Sequence, residues 1–182
     1  MPLLDDYSKQ EFIEGIVFDM SPSADYRHGT VNLNIYRLIS SSLKGSLCLV
    51  FAENLDWKYD REKSDYVIPD VMVVCDRKKI QKGQYLEIPK FIAETLSPAT
   101  ALKDKTIKKE LYQKMKVEEY WIIDVNSRSI EIYHLQNDMY QLINYFILVD
   151  DPHDSDYNAD QEITMLSFPN IQLKLTDIFE NI

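Results

Sequence analysis

Two carboxylates in apolar surroundings are the side chains of this sequence best suited to chemistry. Asp70 begins the apolar run VMVVC, and Glu94 lies inside the run FIAETL. A buried carboxylate is costly unless it is paired or bound to a metal ion. If the two runs form neighbouring strands, Asp70 and Glu94 can hold a hard cation such as Mg2+, which binds one or two carboxylates together with substrate phosphate. A structural salt bridge explains the same pattern equally well.

A lysine-rich segment follows these carboxylates. Asp104, Lys108 and Tyr112 are spaced by four, so a helix stacks them along one face, with Lys105 and Lys109 on an adjoining stripe. A lysine beside a metal-bound water can orient that water or stabilise the charge that develops during phosphodiester cleavage. A merely solvated basic face is the competing interpretation, which the number of lysines alone favours.

The elements that must position these groups alternate between strands and helices. In FIAETL, the period of two places Ile92, Glu94 and Leu96 on one face of a strand, so Glu94 points into a packed layer or a cleft. Pro69 lacks an amide donor, which places it at the beginning of a strand or at an irregularity. Helices mixed with strands that are apolar on both faces predict an α/β fold, with a mixed β-sheet flanked by α-helices. Strands are expected over 11–20 with a bend at Gly15, 47–51, 54–59, 66–75, 91–96, 119–124, 129–135 and 140–148, and helices over 25–43, 101–116 after an N-cap at Thr100, and 175–179.

Composition bounds the class of protein. The chain has 182 residues, of which 45% are hydrophobic and 27% charged, which is typical of one globular domain spanning residues 1–182. Its net charge of -10 works against binding to phosphate backbones and to anionic membranes. The charge is uneven, because residues 150–162 hold six acids and no Lys or Arg, whereas residues 103–116 carry a local charge of +4. A nucleic acid can therefore approach one face of the molecule.

The cysteines and the N-terminus bear on the cellular compartment. Cys48 and Cys75 both lie in apolar runs, so we expect reduced, buried thiols, and no Cys or His spacing resembles a zinc site. The N-terminus has neither the basic segment nor the apolar stretch of a signal peptide, and no window approaches the ~20 apolar residues of a membrane span. We expect a cytoplasmic protein without a membrane segment.

An ordered set of motifs resembles a known family. IPDVMVVCD, FIAETLSPAT and DKTIKKELY, followed by VEEYWIID, are similar to the Uma-two family of restriction-endonuclease-like proteins, within the PD-(D/E)XK nuclease superfamily. The opening FIEGIVFDMSPSADYRHG and the closing FPNIQLKLTDIF resemble the ends of that family, so the similarity covers nearly the whole chain. The resemblance implies a restriction-endonuclease-like mixed β-sheet flanked by α-helices, often assembled as a homodimer.

The resemblance also implies a catalytic set. Asp70 corresponds to the metal-binding aspartate of the Pro-Asp element, and Glu94 to the acidic residue of the E-x-K element. The lysine of that element is absent, because position 96 is Leu. In this family the lysine is thought to have moved to the next helix, where Lys108 matches its position and Lys105 is the reserve candidate.

Other positions follow from the same resemblance. Glu14 matches an acidic position that completes the metal site, so the implied ligands are Asp70, Glu94 and Glu14. His28, which matches a histidine at the start of the first long helix, is expected to contact substrate together with Lys105 and Tyr112. For His28, a histidine bonded to backbone at a helix start is an equally good interpretation.

Together these residues imply a Mg2+-dependent endonuclease, with Mn2+ as a possible substitute, that hydrolyses phosphodiester bonds of DNA. One alternative is a catalytically inactive nuclease-like fold that acts as a binding or assembly module. Another is a subunit whose affinity for nucleic acid comes from a more basic partner protein that supplies targeting.

Overall fold

The computed structural model describes residues 9–20 and 25–182. Its elements follow the alternation that the sequence predicts, with one long helix near the start and a helical segment over residues 101–114. In chain order they are β1 (Lys9–Ile13), β2 (Ile16–Met20), α1 (Tyr26–Ser42), β3 (Leu49–Ala52), β4 (Asp56–Trp57), β5 (Val71–Val74), β6 (Ile80–Gln81), β7 (Gln84–Tyr85), β8 (Phe91–Thr95), α2 (Ala101–Lys103), a π-helical turn (Asp104–Lys108), α3 (Lys109–Lys114), β9 (Glu119–Asp124), β10 (Ser129–Gln136), β11 (Met139–Ile147), β12 (Glu162–Thr164), β13 (Gln172–Lys174) and α4 (Leu175–Ile178).

Six strands form the central sheet, in the order β11-β10-β9-β8-β5-β3. Strands β8 and β9 run parallel, and the other neighbouring pairs run antiparallel. The parallel pair is possible because the helical segment between β8 and β9 supplies the crossover that parallel strands need. The sheet is therefore mixed and flanked by helices, which confirms the predicted α/β fold.

The alternation predicted for β8 is confirmed and divides the core between the two faces of the sheet. Phe91 and Ala93 pack in the cluster that includes Val31 and Ile35 of α1. Ile92 and Leu96, in contrast, belong to the cluster on the opposite face, together with Tyr112 of α3. Glu94 shares the parity of Ile92 and Leu96, so β8 carries its carboxylate toward the helical segment.

The register of three strands brings three acidic residues into one row. Ala52 of β3 pairs with Val71 of β5, and the bond from the backbone N of Glu53 to the carbonyl O of Asp70, at 3.1 Å, continues that ladder by one step. Val71 pairs in turn with Ala93 of β8, so the next step places Asp70 beside Glu94. Neighbouring residues across strands lie close enough for their side chains to interact.

The predicted elements differ from the observed ones where the backbone turns. The strand expected over 11–20 is a hairpin, in which β1 and β2 pair antiparallel and Glu14 and Gly15 form the turn with φ of 51° and 79°. The strand expected over 66–75 is regular only over Val71–Val74. The missing amide of Pro69 explains why the ladder begins after it.

The helices agree more closely with prediction. Helix α1 begins after Asp25, whose side chain accepts a bond from the backbone N of Arg27, and it ends next to Leu43. Thr100 stands at the N-cap position of α2 but makes no capping bond with its side chain. None of the helices in residues 9–20 and 25–182 combines the length and the apolar character that are needed to cross a membrane.

The prediction of two reduced thiols is wrong, because Cys48 and Cys75 form a disulfide. Leu49 pairs with Val74 across β3 and β5, so the next step along the same ladder places the two cysteines opposite each other. The apolar run around each cysteine predicts burial, but neither run alone reveals which strands pair. The disulfide and the row of acids lie at opposite ends of the same pair of strands.

Candidate functional site

The ammonium group of Lys108 lies at the centre of a buried cluster of charges. Its Nζ is 2.9 Å from Oε1 of Glu94 and 2.9 Å from Oε1 of Glu11. Oδ1 of Asp104 is 3.8 Å away, and the lysine side chain is only 3% exposed. A lysine buried to this extent requires negative partners, and here it has carboxylates from three separate segments.

The helical segment places its chemistry on one face, as the spacing predicts. Asp104, Lys108 and Tyr112 are all buried, whereas Lys105 is exposed. The first two residues bound the π-helical turn Asp104–Lys108. Such turns are rare and occur frequently at functional sites, because one extra residue changes which side chains face the interior.

Both carboxylate oxygens of Glu94 accept hydrogen bonds. Lys108 Nζ and the hydroxyl of Tyr112, at 2.9 and 2.6 Å, donate to Oε1, and the backbone N of Asp70 donates to Oε2 at 3.3 Å. Burial raises the pKa of Glu94 although Lys108 opposes the shift, and the charge of Asp70 adds to the rise. This carboxyl therefore sits where a proton or a cation is needed to balance its charge.

The same crowding of acids acts on its neighbours. Burial lowers the pKa of Lys108, but the carboxylates of Glu94 and Glu11 outweigh burial and raise it well above the ordinary value, so the ammonium stays charged. Burial raises the pKa of Asp104. In the described part of the chain, Oδ1 of Asp104 is the buried side-chain atom without a hydrogen-bond partner.

Glu11 is a member of this cluster that sequence reasoning missed. It is fully buried on β1, where Lys103 donates to Oε2 at 2.6 Å and the backbone N of Ile68 donates to Oε1 at 2.9 Å. Burial raises its pKa, but Lys108 and Lys103 outweigh burial and lower it. The signal was present, since Glu11 opens the apolar run that also contains Glu14, but the pattern does not say which glutamate points inward.

Asp70 joins this cluster to a second group of possible ligands. Its Oδ2 accepts a bond from the backbone N of Thr95 at 2.8 Å and lies 3.1 Å from Nε2 of His28. Nδ1 of His28 is 3.8 Å from Oε1 of Glu53. One ligand atom from each of His28, Glu53 and Asp70 lies within 4.8 Å of the others, which is close enough for the three side chains to bind one metal ion together.

Asn32 supports the group formed by His28, Glu53 and Asp70 through hydrogen bonds. Its Nδ2 donates to Oε1 of Glu53 at 2.7 Å, and its Oδ1 accepts from the hydroxyl of Thr95 at 2.6 Å. Thr95 thus holds Asp70 with its backbone and Asn32 with its side chain. Supporting bonds of this kind orient the groups that bind a metal ion.

The charge of His28 reflects its position between two carboxylates. Burial lowers the pKa of His28, but the hydrogen bond to Asp70 and the charges of Asp70 and Glu53 outweigh it and raise the pKa to about 9. Without a bound metal ion the imidazole is therefore protonated at neutral pH, and a metal ion that binds to a ring nitrogen displaces the proton from that nitrogen.

Two of the expected site residues lie elsewhere, and a third lies in the cluster with a different contact from the one expected. Glu14 is at the turn of the hairpin, 65% exposed, and pairs with Lys114 at 3.0 Å, so it does not join the two ligand groups. Lys105 pairs with Glu131 at 2.7 Å. Tyr112 has no exposed surface and donates to Glu94, so the structure assigns it to support of Glu94 in place of the expected substrate contact.

Comparisons with known proteins agree with this architecture. The family model described as "Uma2: Putative restriction endonuclease" matches residues 1–176. A protein of Synechocystis sp. described as uncharacterised is 26% identical over 139 residues, which are 75% of this chain and 72% of that protein. A crystal structure from Anabaena variabilis, described as a "putative nuclease belonging to DUF820", superposes with a TM-score of 0.69 over 97% of this chain and 93% of that one, at 20% identity.

The structural similarity and the match to the family model support the same fold class. The structural neighbour shows that the arrangement of sheet and helices is shared, and the family model extends over almost the full length. The chain therefore belongs to the Uma-two family of restriction-endonuclease-like proteins.

Proposed function

We propose that this protein is a divalent-metal-dependent endonuclease that hydrolyses phosphodiester bonds of DNA. The observation that carries the proposal is the position of Asp70, which links a possible metal site, formed with His28 and Glu53, to the buried pair of Glu94 and Lys108. The family supports nuclease chemistry in general, and DNA as the substrate is part of the proposal.

The residues present fit a divalent cation. Asp70 and Glu53 offer carboxylate oxygens, the ligands that Mg2+ prefers. The side chain of Glu53 is 40% exposed, so the group opens to solvent and to a substrate phosphate. When bound, such an ion lowers the pKa of a coordinated water and offsets the charge of the phosphate.

The chain's own residues divide the remaining work. Asp70 is held by the backbone of Thr95, and Glu94 is held by Lys108 and Tyr112, so both carboxylates have fixed positions before substrate arrives. Fixed charges of this kind need no rearrangement during the reaction. Lys108 is nearly inaccessible, which makes it a positioning residue for Glu94 in this proposal and leaves the substrate to contact the exposed side of the site.

The test is cleavage of supercoiled plasmid, linear duplex and single-stranded DNA in Mg2+ and in Mn2+. We expect wild type to nick or cut at least one substrate and Asp70→Asn and Glu94→Gln to lose about 100-fold or more of the rate, the scale that one electrostatic group supplies. Glu162→Gln is the matched control, because Glu162 is an exposed carboxylate on β12. Circular dichroism checks that each variant folds.

Two outcomes contradict the proposal. One is the absence of cleavage by folded wild type with either metal, and the other is an undiminished rate in Asp70→Asn. The first outcome favours the second candidate, an inactive fold used for binding, which the tight internal pairing of Lys108 also supports. Cytoplasmic location, a homodimer and a separate targeting partner stay predictions of the sequence.

A further inference from the structure

We propose that His28 is a metal ligand and that the site with Asp70 and Glu53 selects a first-row transition-metal ion, such as Mn2+, over Mg2+. The use of this ion in cleavage rests on the proposed function. Binding and selectivity are measurable without cleavage.

The geometry places the imidazole ring between two carboxylates. Nε2 lies 3.1 Å from Asp70 Oδ2, and Nδ1 lies 3.8 Å from Glu53 Oε1. If Nδ1 binds the ion, Nε2–H can donate to Asp70 Oδ2 at 3.1 Å, whereas the 3.8 Å between Nδ1 and Glu53 Oε1 is too long for a hydrogen bond. Histidines that bind metals usually donate their second ring N–H to such a group, which fixes the orientation of the ring.

The position of the ring is set by the start of α1. The helix begins at Tyr26 after its cap at Asp25, which places His28 in the first turn and Asn32 one turn later on the same face. Asn32 Nδ2 is 3.3 Å from His28 Nδ1 and 2.7 Å from Glu53 Oε1, so one amide contacts two of the three ligands. The histidine side chain is 12% exposed, which leaves it little freedom to turn away.

The donor set decides which ion fits. Mg2+ takes oxygen ligands in a strict octahedral arrangement and keeps several waters. Imidazole binds transition-metal ions well, and two carboxylates beside it also suit Mn2+. A site with one nitrogen and two carboxylates therefore favours a transition-metal ion, although a site of carboxylates alone would suit Mg2+.

A simpler arrangement makes the opposite prediction. If His28 serves only as a protonated partner that neutralises Asp70 and Glu53, its replacement removes a positive charge from the group. Cation binding would then strengthen for Mn2+ and Mg2+ alike, without any change in selectivity. The two accounts therefore differ in the sign of the effect on Mn2+.

The test is isothermal titration calorimetry of tag-free protein, which measures its affinity for Mn2+ and, separately, for Mg2+. We expect wild type to bind Mn2+ at least about 10-fold more tightly than Mg2+, and His28→Gln to lose about 10-fold or more of the Mn2+ affinity, as expected for disturbance of a ligand set. The Mg2+ affinity of His28→Gln should change far less. His134→Gln is the matched control, because His134 lies on β10 and outside the ligand group.

Electron spin echo spectroscopy of the Mn2+ complex reports the nitrogen directly. We expect 14N coupling in wild type and in His134→Gln and its loss in His28→Gln. Equal affinity for the two ions, unchanged Mn2+ affinity in folded His28→Gln, or the absence of 14N coupling would each overturn the inference.

The results separate this inference from the proposed function. Mn2+ binding with 14N coupling but without DNA cleavage would support His28 as a ligand and contradict the proposed nuclease activity. If cleavage depends on Asp70 but proceeds in His28→Gln with the wild-type metal preference, the nuclease activity is supported and the role of His28 as a ligand is contradicted.

Discussion

At the scale of single residues, the buried ammonium of Lys108 is the cation that compensates the buried carboxylates of Glu94 and Glu11. Glu94 and Glu11 each give it an oxygen at 2.9 Å, and both carboxylates lie in the interior. Removing one partner of a buried ion pair leaves the other charge without compensation, which is far more destabilising than removing a pair at the surface. The cluster therefore contributes to the stability of the fold as well as forming part of the candidate site.

We expect Lys108→Met to lower the free energy of unfolding by about 3–5 kcal/mol, because it leaves Glu94 and Glu11 buried without their shared cation. Urea denaturation followed by circular dichroism measures this change. Lys114→Met is the matched control, since Lys114 is 70% exposed and its partner Glu14 is also at the surface. The control should change stability by less than about 1 kcal/mol. Equal effects of the two substitutions would show that the interior pair is not formed.

We expect Tyr112→Phe to cost about 1.5–3 kcal/mol of unfolding free energy, because it removes a hydrogen bond to a carboxylate and keeps the ring. The measurement is again denaturation in urea. Tyr157→Phe serves for comparison, since Tyr157 is exposed among residues 150–162 and should tolerate the change within about 0.5 kcal/mol. A Tyr112→Phe protein as stable as wild type would argue against the bond to Glu94.

The sequence predicts part of this site and not the rest, for a physical reason. The face shared by Asp104, Lys108 and Tyr112 follows from local spacing, which a helix converts into proximity. Glu11 and Glu53 reach the site only through pairing of distant segments, and no local pattern encodes that pairing. Sequence reasoning therefore identified the helix that carries the lysine but not all of the carboxylates around it.

At the scale of elements, β3 and β5 form a ladder with the disulfide of Cys48 and Cys75 at one end and Glu53 and Asp70 at the other. The type and order of most elements were predictable, because α1 and the buried strands have strong hydrophobic periods. The hairpin of β1 and β2 was not, since Glu14 adopts a positive φ that is uncommon for residues other than glycine. The disulfide was missed for the same reason as Glu53, because both depend on the register of β3 against β5.

We expect loss of the disulfide, in the double variant Cys48→Ser with Cys75→Ser, to lower the unfolding free energy by about 3 kcal/mol. The bond closes a segment of 27 residues, and opening it increases the conformational freedom of the unfolded chain. Thiol labelling of unreduced, denatured protein checks that the bond is formed. The prediction fails if the purified protein labels at both cysteines or if the double variant is as stable as wild type.

At the scale of the whole molecule, the positive face expected from the lysine segment is largely neutralised. Five of its six lysines form ion pairs, and the ammonium of Lys109 lies 3.7 Å from the centre of the Tyr133 ring. These pairs join Lys103 to Glu11, Lys105 to Glu131, Lys108 to Glu94 and Glu11, Lys114 to Glu14, and Lys116 to Asp138. With a net charge of -10, the protein has little unpaired positive charge on this segment to attract a phosphate backbone.

We expect binding of metal-free protein to duplex DNA to depend weakly on salt, with a slope of log affinity against log salt no steeper than about -3, since few phosphates are neutralised. Fluorescence anisotropy between about 50 and 200 mM salt measures the slope. Glu131→Gln releases Lys105 from its carboxylate and should steepen the slope by about 1. A wild-type slope of about -6 or steeper would reveal a basic surface that the paired lysines do not provide.

The hairpin that carries Glu11 has a consequence for biosynthesis. Glu11 and its partner Lys103 are separated by 92 positions. At about 5–20 residues per second, the ribosome delivers the lysine roughly 5–20 s after the glutamate. During that interval neither Lys103 nor Lys108 is present to pair with the carboxylate, so burial of Glu11 would leave its charge without these partners. The buried charge cluster can therefore close only after the helical segment has been synthesised.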